Sequence, residues 1–287
     1  MKLLVFLLLP CLSLSEVVPE DVTGFGECDQ FFLNNDPPRF TPELPNTQKI
    51  CQCVWDENDE QKYLYATLYN TDWRIPVYSA YVFYRSISVG RCNPWYIEPQ
   101  LDGDAEPCMA PKGRKKRDNQ AVNKDYEKQD PNKPKYDKGH LYPVQHTYDH
   151  VSMLATSTLT NAAPQNSHFN QYQWKEHEKA VATALTDCAE AYVVTGVVPD
   201  PDPNKKLNKI VTVSKYYWRA TCCLKNGVYT GTGYFGPNNN DKVEELTITE
   251  LQNKLAKDYG VTIVIFPSIP IPTGSKRPFP GVTGGCI

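Results

Sequence analysis

Beyond its first fifteen residues, the 287-residue chain has no run of about 18 apolar residues, so no helical membrane span is expected. It has no Asn-x-Ser/Thr sequon, which argues against N-linked glycan. It has no internal repeat, which excludes solenoid and propeller architectures. No linker-like stretch outside 101–135 divides it into two halves. It has little net charge, −3, so composition alone nominates no polyanionic partner. No histidine lies outside residues 140–177; the five are His140, His146, His150, His168 and His177.

The first fifteen residues read as a leader. "MKLLVFLLLPCLSLS" combines a lysine, an apolar run too short to span a bilayer, a proline and small residues. Residues 1–15 are expected to be a signal peptide cleaved after Ser15, giving a secreted product. Ten cysteines are present, and Cys11 leaves with the leader. In an oxidising compartment most of the nine others are expected in disulfides, with one left over for a free thiol or another chain. Cys222 and Cys223 are neighbours and would point to opposite faces of a strand. Oligomeric state is not legible in the sequence.

Charge is unevenly distributed. Residues 111–138 hold ten Lys or Arg against five Asp or Glu, on an otherwise acidic body. Such a segment is a solvated loop or a surface that attracts a polyanion. Within it, "GRKKRD" (113–118) has three readings: solvated loop, phosphate-contacting arm, or processing site at Arg114–Arg117.

Residues 21–63, rich in Pro, Asn, Asp and Cys, read as disulfide-pinned irregular structure. Strands are expected at 63–70, 75–87, 191–198 and 261–267, with one or two over 208–225. Helices are expected at 168–188 and 247–260, the second with a Thr cap and a terminal glycine. Residues 101–135 form a long basic loop, and 268–287 a Pro/Gly-rich tail. The class is α+β, strands around one long helix, in a single domain over 16–267.

The histidine cluster has three readings. His146 and His150, at i and i+4, could share a helical face as zinc ligands, although no Glu follows His146 and no third ligand is evident. The "KYDKGHLYP" segment (135–143) could be an ordinary polar turn. In the third reading, Asp137-Lys138-Gly139-His140 is one corner of a reactive site. Asn161, Asn170, Trp174 and Glu178 follow at 21, 30, 34 and 38 residues past His140. On a regular helix the last three would fall within about 80° of one another. Hydrolysis of a phosphodiester needs a base, a cation and donors to phosphate. Histidine suits the base near neutral pH. An Asn oxygen can be the direct protein ligand of a hard cation that keeps its waters, with a carboxylate behind to orient them. Trp174 reads as core packing, Asp137 as a tie for the turn, and His168 and His177 as surface residues of the helix.

As a set these motifs resemble the DNA/RNA non-specific endonuclease family, with its ββα-metal (His-Me finger) fold. "GFGECDQFF" (24–32), "ATLYNTDWRIPVYSAYVF" (66–83), "YIEPQLDGD" (96–104) and "TLTNAAP" (158–164) look like its endonuclease domain-containing 1 branch. The resemblance implies a mixed or antiparallel sheet with a central helix, and a metal-dependent endonuclease acting on DNA or RNA. His140 would be the general base, and Asn170 the ligand of Mg²⁺, with Mn²⁺ the other candidate. Glu178 would orient the cation's water, and Asn161 would shape the site. Arg91, with Arg85 as competitor, would be an upstream transition-state arginine. Lys138 stands where the family motif has arginine, keeping the charge but losing the planar fork. The rival reading is a weak or inactive nucleic-acid-binding or interaction protein on the same fold.

Overall fold

The computed structural model describes residues 16–84, 94–111, 117–127, 129–239 and 241–267. The leader, the C-terminal tail and both Arg85 and Arg91 lie outside the described residues.

In chain order, β1 (Arg39–Thr41) precedes β2 (Thr47–Trp55), β3 (Gln61–Asn70) and β4 (Ile75–Val82). Strands β5 (Tyr136–His140) and β6 (Ala162–Asn166) pair antiparallel and flank the short helix α1 (His150–Thr156). The following helix has three parts: α2 (Ser167–Phe169), a π turn (Asn170–Trp174) and α3 (Lys175–Leu185). Then come β7 (Glu190–Pro199), a small hairpin of β8 (Lys206–Leu207) and β9 (Val211–Thr212), β10 (Ser214–Lys225), β11 (Val228–Pro237) and β12 (Glu244–Leu246). Helix α4 (Ile248–Tyr259) and β13 (Thr262–Val264) close the described chain.

Seven strands form one antiparallel sheet in the order β12-β11-β10-β7-β4-β3-β2. Strand alternation gives it two buried faces. On β10, Trp218, Ala220 and Cys222 enter the core under α4 and the N-terminal segment, with Phe25, Phe40 and Leu251. Tyr217 faces the other way, into the core under β5, β6 and the α2–α3 helix, with Phe169 and Trp174. The class is α+β, and β5, β6 and the helix form one ββα unit lying on the sheet.

The irregular reading of residues 21–63 is corrected by β2, a nine-residue strand within it. Its cysteines are what hid it. Cys51 bonds Cys28, and a bulge at Gln52/Cys53 turns the strand so that Cys53 bonds Cys108. The third bond joins Cys188 to Cys223, while neighbouring Cys222 is disulfide-bonded from the opposite core. Helix α4 has the expected ends: Thr247 Oγ1 caps Glu250 N–H, and Gly260 closes it at φ 73°.

Candidate active site

Strand β5 carries the motif, and alternation sorts it. Tyr136, Lys138 and His140 share one face; Asp137 and Gly139 share the other. Gly139 lies against the main sheet with no room for a side chain. A Cβ there would stand 2.4 Å from Gln165 Oε1 and 2.7 Å from the Tyr217 hydroxyl. That hydroxyl donates to Ala163 O at 2.9 Å and pins the hairpin to β10.

Asp137 does more than tie a turn. Its carboxylate accepts from Ser167 Oγ (2.7 Å), Asn170 Nδ2 (3.0 Å) and Gln171 Nε2 (3.0 Å). A carboxylate only accepts, so the Asn170 amide must turn its NH₂ toward Asp137 and its oxygen away. Asn170 Oδ1 makes no hydrogen bond among the described residues, and its residue is half-buried. A neutral amide oxygen held this way suits a hard divalent cation that retains most of its water.

His140 is half-buried, its ring 4.7 Å from that of Trp95. Lys138 reaches the same tryptophan. Its Nζ lies 5.2 Å from the Trp95 ring and 5.7 Å from the Tyr126 ring, and donates to Asn123 Oδ1 at 2.7 Å. Desolvation lowers the Lys138 pKa below the usual lysine range, with the Glu127 charge opposing the shift. The ammonium thus sits against two aromatic rings, at cation–π distance from each.

Asn161 is fully buried and its amide is entirely spent. Its oxygen accepts from Tyr142 N–H, and its NH₂ donates to the carbonyls of Tyr142 and Thr156. With no exposed surface and no free amide atom, it ties Tyr142, two residues past His140, to Thr156.

The helix that carries Asn170, Trp174 and Glu178 is not regular. The π turn inserts an extra residue there, turning the residues before it by about 100° relative to those after. Trp174 is completely buried against Tyr217 and Arg219, as a core residue. Glu178, one turn on, has its Oε1 3.8 Å from Nη2 of Arg219. Arg219 is a fully buried cation on β10 whose Nε donates to Thr195 Oγ1 at 2.8 Å. Strand register continues that line into a buried polar row, Arg219–Thr195–Ser79–Thr67. The row was missed in the sequence, although a lone arginine inside "YYWRATCC" was a readable signal.

Two histidine readings are corrected. His146 is buried, with both ring nitrogens engaged. Nε2 lies 2.9 Å from the Glu178 carbonyl and must donate, so Nδ1 accepts from the Tyr81 hydroxyl at 2.8 Å. Burial, then the Arg219 charge, lowers its pKa to about 3. It is a neutral strut between β4 and the helix, whereas His150 is exposed, and no zinc site joins them. His177 is not a surface residue either. It is wedged between Trp174 and Tyr234, its pKa pushed well below the usual histidine value by burial and by Arg219. His168 is exposed as expected, beside Tyr172. In "GRKKRD", residues 112–116 lie outside the described residues. Arg117 is half-buried, with its side chain nearly covered and paired with Asp102 and Asp104, so it is not a phosphate-contacting arm.

A family model for DNA/RNA non-specific endonucleases matches residues 46–261. Two curated relatives are the human and mouse proteins named Endonuclease domain-containing 1 protein. The human protein is 32% identical over 254 residues, covering 83% of this chain and 47% of its own length. The mouse protein is 29% identical over 250 residues, covering 81% and 46%. The chain thus spans about half the length of the curated relatives it matches. Among solved structures, a chain of the EndoG/EndoGI complex, described as revealing the mechanism of EndoG inhibition, superposes with a TM-score of 0.57. It is 16% identical and covers 88% of this chain and 95% of its own, a likeness of fold.

Proposed function

The chain belongs to the DNA/RNA non-specific endonuclease family, and on that premise we propose that it is a secreted, divalent-metal-dependent endonuclease that hydrolyses phosphodiester bonds of DNA and RNA. The observation that carries the proposal is the carboxylate–amide pair of Asp137 and Asn170. The carboxylate, three residues along β5 from His140, orients a neutral oxygen ligand at the start of the π turn.

His140 takes a proton from the attacking water as its oxygen bonds to phosphorus. The bond from phosphorus to the 3′ oxygen breaks in line, and that oxygen is protonated by solvent. The products are a 5′-phosphate and a 3′-hydroxyl. Asn170 Oδ1 would hold Mg²⁺ or Mn²⁺, which supplies charge stabilisation at the phosphorane and the leaving oxygen. Glu178, restrained by Arg219, accepts hydrogen bonds from water behind the site. Lys138 contributes a fixed positive charge beside the phosphate path.

One observation favours a second reading. Lys138 is already held by Asn123, Trp95 and Tyr126, which suits binding a backbone without cleaving it. Plasmid DNA and RNA are incubated with purified protein, with Mg²⁺ or with EDTA, beside His140→Ala. Metal-dependent nicking that the substitution abolishes is the expected result. Binding without nicking across divalent metals would establish the second reading, and cutting that survives His140→Ala removes the base assignment.

A further inference from the structure

Next to the site, but outside it, lies a cavity of about 510 Å³ between residues 129–136 and the β8–β9 hairpin. Four lysines line it, Lys133, Lys205, Lys206 and Lys209, against two acids, Asp130 and Asp202. Each acid is spent on its own turn. Asp130 Oδ1 accepts from Asn132 N–H, and Asp202 Oδ1 accepts from the backbone and side chain of Asn204. The four lysines are exposed, and their ammonium groups make no ion pair or hydrogen bond among the described residues. A concave surface with an excess of uncommitted ammonium groups suits an anion that brings several negative charges.

Backbone geometry at the hairpin points the same way. Asn208 and Lys209 stand at φ 48° and 64°, and Ile210 N–H donates to Leu207 O, a type I′ turn. Asparagine tolerates this conformation, but glycine is the usual second residue. Lysine there carries a conformational cost and keeps a charge at the tip.

The pocket is braced against the reactive strand. Asn208 Nδ2 donates to the carbonyls of Asp125 and Glu127, each at 2.8 Å. The same turn supplies Asn123 and Tyr126 to the Lys138 ammonium. Tyr136 lines the pocket and shares a strand face with Lys138 and His140. At about 3.3 Å per residue, Tyr136 lies about 13 Å from His140 along β5.

We propose that this lysine pocket is a second phosphate-binding subsite, which holds the sugar-phosphate backbone of a nucleic-acid strand a few nucleotides from the bond at His140. The placement relative to His140 rests on the proposed function; the binding does not. Contacts of this kind carry no base information and fix where the strand lies.

The test measures binding of a labelled trinucleotide and a labelled dodecanucleotide to the full chain in EDTA, across a salt series. The subsite variant is Lys205→Gln/Lys206→Gln/Lys209→Gln. The control is Lys62→Gln/Lys179→Gln/Lys225→Gln, which removes equal charge from lysines paired elsewhere on the surface. The subsite variant is expected to lose at least about tenfold in dodecanucleotide affinity. Its log K against log [salt] slope should shallow by up to about 2, at about 0.7 per released contact on a single strand. Trinucleotide binding and the control variant should stay within about twofold of wild type. Unchanged dodecanucleotide binding, an equal loss in the control, or no oligonucleotide binding by wild type overturns the subsite. Lysine-dependent binding without cleavage leaves the subsite standing and removes the nuclease reading instead.

Discussion

Asp137 shows how one carboxylate decides the chemistry of its neighbour. With three donors converging on it, its acceptor-only character dictates which end of the Asn170 amide faces outward. Asp137→Ala frees that amide to rotate and to offer its NH₂ to the cation position. The Mg²⁺ concentration for half-maximal cleavage should rise by about 10–100-fold, as for other outer partners of metal ligands. Oligonucleotide binding in EDTA should be no weaker than in wild type. If both titrations match wild type, the Asp137 hydrogen bond does not orient the ligand. The sequence showed the residue but not the duty, because the partners lie 30–34 positions away and only the hairpin brings them together.

The ββα unit depends on a helix that is not regular. The π turn at Asn170–Trp174 lets Phe169 and Trp174 both pack into the core while Asn170 reaches sideways to Asp137. Deleting Gln171 should restore regular winding and leave Asn170 at its present angle to Glu178, because the residue removed and the rewinding each turn the helix by about 100° in opposite senses. The expected variant keeps its far-ultraviolet circular dichroism and its metal-dependent cleavage. A variant that folds but does not cleave would show that Gln171 or the π turn itself, and not the angle between Asn170 and Glu178, serves the site. The contrast also marks what was legible in the sequence. Helix 168–188 was readable from its composition, and observed bounds differ by only a few residues, but a π turn leaves no composition signature. Strands β3, β7 and β10 were readable because their β-branched and aromatic residues stand between turn residues. Strand β2 was not, since glutamine, lysine and two cysteines interrupt its pattern and its pairing is set by β3. The candidate site was legible as motif spacing, whereas the placing of Trp95 and Tyr126 against Lys138 comes from a long loop whose path no local pattern reveals.

At the scale of the whole molecule, two buried titratable clusters on different elements pull stability in opposite directions with pH. His146 has a native pKa of about 3, depressed from its ordinary value by burial and by Arg219. Its contribution is present above the unfolded value of about 6.5 and is lost as pH falls toward the native one, at about 1.4 kcal/mol per pH unit. His177 is shifted the same way. Glu16 and Glu98 behave oppositely. Both are fully buried, and burial raises both, with the Glu98 charge adding to the rise at Glu16. A carboxyl raised above its unfolded value of about 4.3 stabilises the fold at low pH and loses that contribution as pH rises through the native value. The pair ties the N-terminal segment, through Gln52 and the Cys53 N–H, to Thr160 beside Asn161. Stability should therefore fall on both sides of a maximum. His146→Gln keeps a donor for the Glu178 carbonyl and an acceptor for Tyr81, and should flatten the acid limb. Glu16→Gln keeps the oxygen that accepts from Gln52 and Cys53, and offers Glu98 an NH₂ donor. It should gain stability over wild type as pH rises from about 5 to 8, because only the wild type must lose a proton from the pair or hold it against solvent. Denaturant unfolding across that range measures the difference. Parallel curves for wild type and Glu16→Gln would mean that the pair holds the same protons in the native and unfolded chains, and the basic limb would then need another source.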